Sequence, residues 1–170
     1  MKDHLPDRLD LYAAAEAGRV IRGRMQLTGL ARVLPLLTSD TGELDVVLEL
    51  DRDQSGTRYL AGSIKGVLVL QCQRCLDPME YPLDVTFRLG LVQKPDDMHN
   101  LTDCYEPLVL TAEPVQISEV IADEVLLALP IAPLHEDMGN CREVAADYHA
   151  TAAAQRDNPF AVLEQLKQKP

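Results

Sequence analysis

The stretch Val67-Leu68-Val69-Leu70-Gln71-Cys72-Gln73-Arg74-Cys75 decides the fold. An apolar strand runs directly into a tight turn that has a thiol at each end. Apolar residues share one parity from Leu60 to Cys72 and again from Tyr81 to Leu91, with mostly polar residues between them. Alternation of this kind is typical of strands with one buried face. We therefore predict a hairpin whose loop is Cys72–Tyr81.

Two further strands are predicted before this hairpin. Residues 44–51 alternate apolar and mostly polar side chains, and a weaker pattern runs from Met25 to Val33. Within the long strand, Gly62 and Gly66 interrupt the apolar face and predict a bulge or a bend. The fold class that follows is α+β, with a small antiparallel β-meander as its centre.

One main helix is predicted to cover the sheet. From Ile117 to Leu129 apolar residues recur at helical spacing, and Pro130 ends the pattern because it has no N–H to donate. Glu119, Asp123 and Glu124 are assigned to the solvent side of this helix. A short N-terminal helix is predicted over residues 7–18, with Asp7 or Asp10 as its cap and Gly18 at its end.

The chain is interpreted as a single α+β domain over residues 1–142, followed by a weakly ordered tail over 143–170. Within the domain, residues 93–115 are polar and contain several prolines, which predicts a long flexible loop ending in a short extended piece from Pro107 to Thr111. In the tail, Asn158 and Pro159 are suited to the cap and first position of a short terminal helix.

The composition excludes several classes of protein. The 170 residues include no Trp and two Phe, so an aromatic platform for single-stranded nucleic acid is hard to assemble. No apolar run approaches membrane-spanning length, and we expect a cytoplasmic protein. The net charge is −11, and residues 95–150 alone have a net charge of −11. Such an acidic surface either contacts a basic protein, of which ribosomal proteins are an example, or serves solubility, and solubility is the simpler interpretation.

The four cysteines are expected to be thiols or metal ligands, because the cytosol is reducing. Cys72 and Cys75 have the two-residue spacing by which one turn offers two thiolates to a structural zinc. The downstream candidates for the second pair are His99, Cys104, His135 and Cys141. His135 and Cys141 are preferred because they follow the main helix, where the chain can return to the hairpin. A metal-free pair and a redox-active pair are the alternatives.

Signatures of catalysis are absent from the sequence. It contains no Gly-rich phosphate loop, no nucleophile elbow and no His-Glu-x-x-His helix. Paired carboxylates such as Asp96-Asp97 lie in loops or on solvent faces. We therefore expect no enzymatic activity, no catalytic residue and no small-molecule substrate.

Arginines form the one basic concentration of the chain, at Arg19, Arg22 and Arg24. Together with Arg74 in the thiol turn they are the candidate contacts to RNA or to a partner. The alternative is that they form a solvated rim around strand ends.

Three features together resemble the bacterial YceD family. They are the strand end Leu70-Gln71-Cys72-Gln73-Arg74-Cys75-Leu76, the helix from Glu119 that runs into Leu129-Pro130-Ile131-Ala132-Pro133-Leu134-His135 with Cys141 beyond it, and the terminal Asn158-Pro159-Phe160-Ala161-Val162-Leu163. The resemblance spans nearly the whole chain and is weakest at its N-terminal end.

The resemblance implies a non-catalytic ribosome-biogenesis factor needed for accumulation of large-subunit ribosomal RNA. It implies as partners that RNA or its precursor particle, and a small ribosomal protein encoded beside the family's genes. Many relatives carry two full cysteine pairs, which would complete a four-thiol zinc site. This chain departs from that pattern, because His135 stands with Cys141 in place of the second pair. A zinc-binding adaptor without a ribosomal role and a thiol redox protein using Cys72 and Cys75 remain the alternatives.

Overall fold

The computed structural model describes residues 5–111, 114–136 and 141. The strands are β1 (Arg8–Leu9), β2 (Val20–Gln26), β3 (Glu43–Arg52), β4 (Arg58–Gln71), β5 (Pro78–Val92), β6 (Glu106–Val109) and β7 (Val115–Gln116). The α-helices are α1 (Leu11–Glu16) and α2 (Ile117–Ala128), and short 3-10 turns occupy Leu27–Gly29, Leu34–Leu36 and Pro95–Asn100. The predicted terminal helix and weakly ordered tail lie outside the described residues.

The main sheet has five strands in the order β2-β3-β4-β5-β6. The first four are antiparallel neighbours in chain order, as the alternating pattern predicted. Strand β6 differs, because it pairs with β5 in parallel after the segment 93–105 has carried the chain back along the sheet. The fold is therefore α+β with a mostly antiparallel sheet, and the extended piece expected near Pro107 belongs to that sheet.

The first strand of the sheet begins earlier than predicted. The pattern favoured a strand from Met25 to Val33, but β2 covers Val20–Gln26 and a 3-10 turn follows it. The basic residues concealed the signal, because Arg22 and Arg24 alternate with Ile21, Gly23 and Met25 as polar and core-facing positions of one strand. Arg22 and Arg24 thus lie on the strand itself, whereas Arg19 directly precedes it.

The glycines of β4 do not form a bulge. The strand keeps an unbroken one-to-one register with both β3 and β5. Instead, the glycines make room for neighbouring side chains on the core face. A Cβ at Gly62 would lie 2.2 Å from the Cζ of Phe87, and one at Gly66 would lie 2.5 Å from a methyl carbon of Leu44. Close packing of the core, and not a kink, requires glycine at both positions.

The core lies on one face of this sheet. Burying these aliphatic side chains is the main source of stability for the domain. The largest fully buried side chains are Leu11, Leu27, Leu30, Val33, Leu44, Leu48, Leu50, Leu60, Ile64, Leu68, Ile117 and Ile121. They come from α1, the segment 27–37, strands β3 and β4, and α2, so the helices and that segment cover one face while the other face is solvated.

Helix α2 forms where predicted and packs against β5. One assignment on it was wrong, because Glu124 is buried while Glu119 and Asp123 are exposed. Glu124 follows Val120 by four residues, about one helical turn, and precedes Leu127 and Ala128, so it lies at the border of the apolar stripe. The edge of the sheet at β6 covers this border. The spacing of apolar residues along a helix does not reveal that a strand distant in sequence buries one of its side chains.

A second, two-stranded sheet joins β1 to β7. Arg8 pairs with Gln116 and Leu9 with Val115, and the N–H of Ile117 donates to the carbonyl of Asp7 at 3.0 Å. Helix α1, which follows β1, is shorter than predicted. The side chain of Asp10 caps it by accepting a hydrogen bond from the N–H of Ala13. Among the described residues no helix has the length and apolar character needed to cross a membrane.

Candidate metal centre

The segment from Cys72 to Asp77, called the thiol turn, connects β4 to β5. The N–H of Leu76 donates to the carbonyl of Cys72 at 2.9 Å, and the N–H of Cys72 donates to the carbonyl of Asp77 at 3.0 Å. Leu76 takes a left-handed backbone with φ of 63°, which a non-glycine residue adopts at a cost. This closed geometry aims the thiols of Cys72 and Cys75 to the same side, and both are buried.

The chain after α2 returns to the thiol turn. Pro130 follows the end of the helix, and the Tyr81 hydroxyl at the start of β5 donates to the carbonyl of Ala128 at 3.3 Å. The N–H of Gln73 donates to the carbonyl of Pro133 at 2.8 Å. A guanidinium N–H of Arg74 donates to the carbonyl of His135 at 3.1 Å. Three hydrogen-bond donors of the hairpin thus hold the end of the helix and the returning segment in place.

The return brings His135 and Cys141 to the two thiols. The Nδ1 of His135 lies 3.5 Å from the Sγ of Cys75 and 3.5 Å from the Sγ of Cys141. The sulfurs of Cys72 and Cys141 are 3.9 Å apart, and all four ligand atoms lie within 4.8 Å of one another. The four predicted residues therefore form one Cys3His cluster that could bind a metal ion.

The sulfurs of this cluster differ in their affinity for protons. Burial raises the pKa of Cys72, but backbone N–H groups of Cys75, Arg74 and His135 donate to its sulfur and hold the pKa below its ordinary value. Burial and hydrogen bonding with the thiols of Cys75 and Cys72 raise the pKa of Cys141. The crowding of the sulfurs thus favours a protonated Cys141. A divalent cation bound among them would relieve the repulsion between their thiolates.

The other downstream candidates are not part of the cluster. Cys104 is exposed, and its sulfur lies 3.2 Å from the hydroxyl of Thr102 in the segment before β6. His99 lies in the 3-10 turn that follows β5 and is also exposed. Position along the chain was the useful signal, because the candidates that follow α2 are the ones that reach the thiol turn.

The chain is similar to proteins of one known family. Residues 60–167 match the family model described as Large ribosomal RNA subunit accumulation protein YceD. The chain belongs to the YceD family. A curated member of that description from Haemophilus influenzae is 31% identical over 174 residues, which cover 99% of each chain. No solved structure matches.

The name of the YceD family describes accumulation of large-subunit ribosomal RNA and not a reaction. The matched residues include nearly all of β4, the whole of β5 and α2, and the whole Cys3His cluster. They exclude the N-terminal arginines, which the family model does not reach.

The arginines proposed as contacts lie in two separate places on this YceD-family chain. Arg22 and Arg24 face solvent on β2, an edge strand, and Arg19 directly precedes them. The register sets Arg22 level with Val47 and Ser63, eight residues before the end of β4. At about 3.3 Å per residue, this is on the order of 25 Å from the thiol turn that carries Arg74.

The three N-terminal arginines also differ in their pairing. The guanidinium of Arg24 donates to Glu43 at 2.6 Å and to Asp45 at 3.1 Å. Within the described residues, the side chains of Arg19 and Arg22 have no hydrogen-bond or ion-pair partner. Of the three N-terminal arginines, these two are consequently the ones whose charge is not neutralised by a described carboxylate.

Proposed function

We propose that this protein supports accumulation of large-subunit ribosomal RNA by binding and not by catalysis. The observation that carries the proposal is the nature of its most developed site, the Cys3His cluster. Its sulfurs at Cys72 and Cys75 are buried, and its four ligand residues join the hairpin to the segment beyond α2. A closed structural site of this kind fixes the hairpin and the segment beyond α2 relative to each other. A protein that acts by binding needs such a fixed surface.

The metal we propose for the cluster is a structural zinc ion, held by Cys72, Cys75, His135 and Cys141. Tetrahedral zinc with Zn–S near 2.3 Å and Zn–N near 2.05 Å sets sulfurs about 3.8 Å apart and a sulfur about 3.5 Å from a nitrogen. Of the six separations between the four ligand atoms, one S–S distance is 3.9 Å and two S–N distances are 3.5 Å, and all six are within 4.8 Å. Zinc would supply no reaction, because four protein ligands leave no open coordination position.

The partners we propose are ribosomal RNA or a large-subunit precursor particle, met in the cytoplasm, and a basic ribosomal protein. Arg19 and Arg22 are the residues proposed for the phosphate contact because their charges are unpaired among the described residues. The excess acid of residues 95–150 repels phosphate and favours a basic protein as partner.

Deletion of the gene and complementation test the proposed function. Large-subunit ribosomal RNA is quantified against small-subunit RNA in the deletion strain, with the wild-type gene and with a Cys72→Ser/Cys75→Ser gene supplied in turn. We expect the ratio to fall on deletion, to recover with the wild type, and to recover poorly with the double variant. An unchanged ratio after deletion contradicts the function.

Metal content tests the zinc proposal separately. The untagged protein is purified without chelator and its zinc is measured by elemental analysis, together with the count of reactive thiols. We expect about one zinc per chain, with one reactive thiol at the exposed Cys104. Cys104→Ser should keep the zinc and Cys141→Ser should lose it. Purified protein without metal, and with all thiols reactive, contradicts the proposal.

A redox function is the second candidate, because the lowered pKa of Cys72 favours a thiolate. Cys72 is fully buried, however, and an attacking thiolate must be reached by its substrate. Reversible formation of a Cys72–Cys75 disulfide in the zinc-free protein, at a defined potential and with loss of zinc binding, would favour this candidate. Absence of that disulfide in graded glutathione buffers would exclude it.

A further inference from the structure

A groove lies between the second half of α2 and the edge of the main sheet at β6. Its volume is about 340 Å³, near the lower end of the range for ligand pockets of about 300–1,000 Å³. Apolar side chains form its base and one wall, and carboxylates form its rim. The apolar residues are Leu89, Pro107, Leu108, Val120, Leu126 and Leu127, and the charged residues are Arg32, Glu106, Asp123 and Glu124.

Glu124 is the unusual member of this groove. It exposes 7% of its surface, and it is the one charged residue among the buried residues that the structure describes. Within the described residues, the carboxylate of Glu124 has no hydrogen-bond or ion-pair partner. Burial raises the pKa of its carboxyl, and the charges of Glu106 and Asp123 raise it further. Its carboxylate oxygens are not fully enclosed, since no fully enclosed side-chain oxygen of the described residues lacks a partner, and they are therefore open to the groove. A largely buried carboxylate without a counter-charge is costly, so the site favours an added cation.

The one cation on the lining is already engaged. Arg32 donates to Asp123 and also lies 3.7 Å from Glu119. It therefore neutralises the outer rim on the solvent side of α2, while Glu106 and Glu124 have no counter-charge within the described part of the chain. Among the groove and its rim the acids outnumber this single arginine.

Leu127 provides an apolar contact surface beside Glu124. Leu127 follows Glu124 by three residues, so the two side chains share one face of α2. Leu127 is 75% exposed, although it lies on the wall of the groove. An exposed large apolar side chain next to a buried carboxylate suits the stem and head of a Lys or Arg side chain, which are apolar and cationic in turn.

We propose that this groove binds a Lys or Arg side chain of a basic protein segment, with Glu124 as the counter-charge and Leu127 packed against an apolar neighbour. The carboxylates that favour a cation repel phosphate, so the charge of the groove excludes RNA as its occupant. The inference rests on the proposed function in one respect, since it takes the basic segment from a large-subunit ribosomal protein.

Peptide binding by the full chain tests the proposal. An array of overlapping 15-residue peptides that covers the large-subunit ribosomal proteins of the source organism is probed with the wild-type protein. Each peptide that binds is made again with every Lys replaced by norleucine and every Arg by citrulline, one at a time. We expect one cationic residue in a binding peptide to be essential, so that its replacement weakens binding at least about 10-fold.

Three variants of the protein are compared on the same peptides. Glu124→Gln removes the buried charge at nearly constant volume and should weaken binding at least about 10-fold. Leu127→Ser should weaken it several-fold, and folding is safe because the side chain is largely exposed. Glu49→Gln removes an equal charge from the solvated face of the sheet and should leave binding unchanged. Thermal unfolding of each variant confirms that it is folded.

Several outcomes would overturn the groove proposal. They are the absence of any bound peptide, equal binding by E124Q and the wild type, and binding that survives every replacement of Lys and Arg. Displacement of the peptides by naked ribosomal RNA would also overturn it, because RNA would then share the site. The gene-deletion assay remains independent of these results, since an unchanged RNA ratio removes the proposed function even where peptides bind.

Discussion

The Nδ1 of His135 lies 3.5 Å from the Sγ of Cys75, although sixty residues separate these side chains along the chain. The contact ties the hairpin of the sheet to the segment that follows its covering helix. Closing a loop of this length costs conformational entropy, and side-chain contact of this kind offsets little of it. Coordination of a shared zinc would supply the missing free energy.

Replacing His135 distinguishes a metal ligand from a packing residue. His135→Cys should keep zinc, because a thiolate is an equally good tetrahedral ligand, while His135→Ala should weaken zinc binding by more than about 100-fold. Competition with a chromophoric chelator measures both affinities. Equal zinc affinity of H135A and the wild type would show that His135 is not a ligand.

Gly62 should be intolerant of even one added methyl group. Gly62→Ala places a Cβ against the ring of Phe87, and we expect a loss of about 1–3 kcal/mol in the free energy of unfolding. Phe87→Leu in the same chain removes the clashing ring atoms and should recover part of that loss in a double-mutant cycle. Gly29→Ala is the control, because its Cβ would meet only Met25 at 3.9 Å. Purely additive losses in denaturant titrations would refute the close contact.

The buried carboxyl of Glu124 should make stability depend on pH. Its pKa is raised above the ordinary value of 4.5 in the folded protein, so the folded state binds the proton more tightly than the unfolded state. Stability therefore falls as pH rises from about 4.5 through the raised value. Glu124→Gln should abolish this fall, making the variant more stable than the wild type at pH 7 and nearly equal to it at pH 4.

Denaturant titrations at a series of pH values measure this effect. Glu49→Gln accounts for the change of one unit in net charge, since Glu49 is exposed on the other face of the sheet. A stability difference between E124Q and the wild type that is constant from pH 4 to pH 7 would contradict the raised pKa.

Tyr81 should stabilise the end of α2. Tyr81→Phe removes the hydroxyl that donates to the carbonyl of Ala128, and we expect a loss of about 0.5–1.5 kcal/mol in stability. Amide hydrogen exchange should also accelerate after the helix, at residues 129–136. Tyr59→Phe is the matched control, because among the described residues the Tyr59 hydroxyl has no partner. A larger loss from Y59F than from Y81F would overturn this assignment.

The arginines of β2 should separate into a structural residue and two contact residues. Arg24→Glu sets like charges beside Glu43 and Asp45 and should lower the melting temperature, while Arg19→Glu/Arg22→Glu should leave it nearly unchanged. The double variant should instead reduce co-sedimentation with large-subunit precursors at low salt. Unchanged co-sedimentation of R19E/R22E would remove these residues from the proposed RNA contact.

The sheet and the main helix could be predicted because their signals are local. Alternation from Leu60 to Cys72 and helical spacing from Ile117 to Leu129 each follow from neighbours a few residues away. Strand β2 was placed too late because its polar positions are arginines, which looked like a surface cluster. The sequence indicated a bulge at Gly62 and Gly66, whereas the actual cause lies in side chains from two other strands.

The Cys3His cluster was predicted as a set of residues, and the structure brings that set together. The spacing of Cys72 and Cys75 supplied half of it, and the order of elements supplied the rest. The burial of Glu124 could not be predicted in this way. It depends on β6 returning in parallel to the edge of the sheet, and no short pattern encodes that return.

The small ladder between β1 and β7 sets an order of events during synthesis. Residues 8 and 9 leave the ribosome early, but their pairing partners at 115 and 116 follow about a hundred residues later. The segment that contains β1 must therefore wait, with Leu5 and Leu9 uncovered, until the segment before α2 has been made. The first residues of the described chain are thus among the last to reach their native contacts.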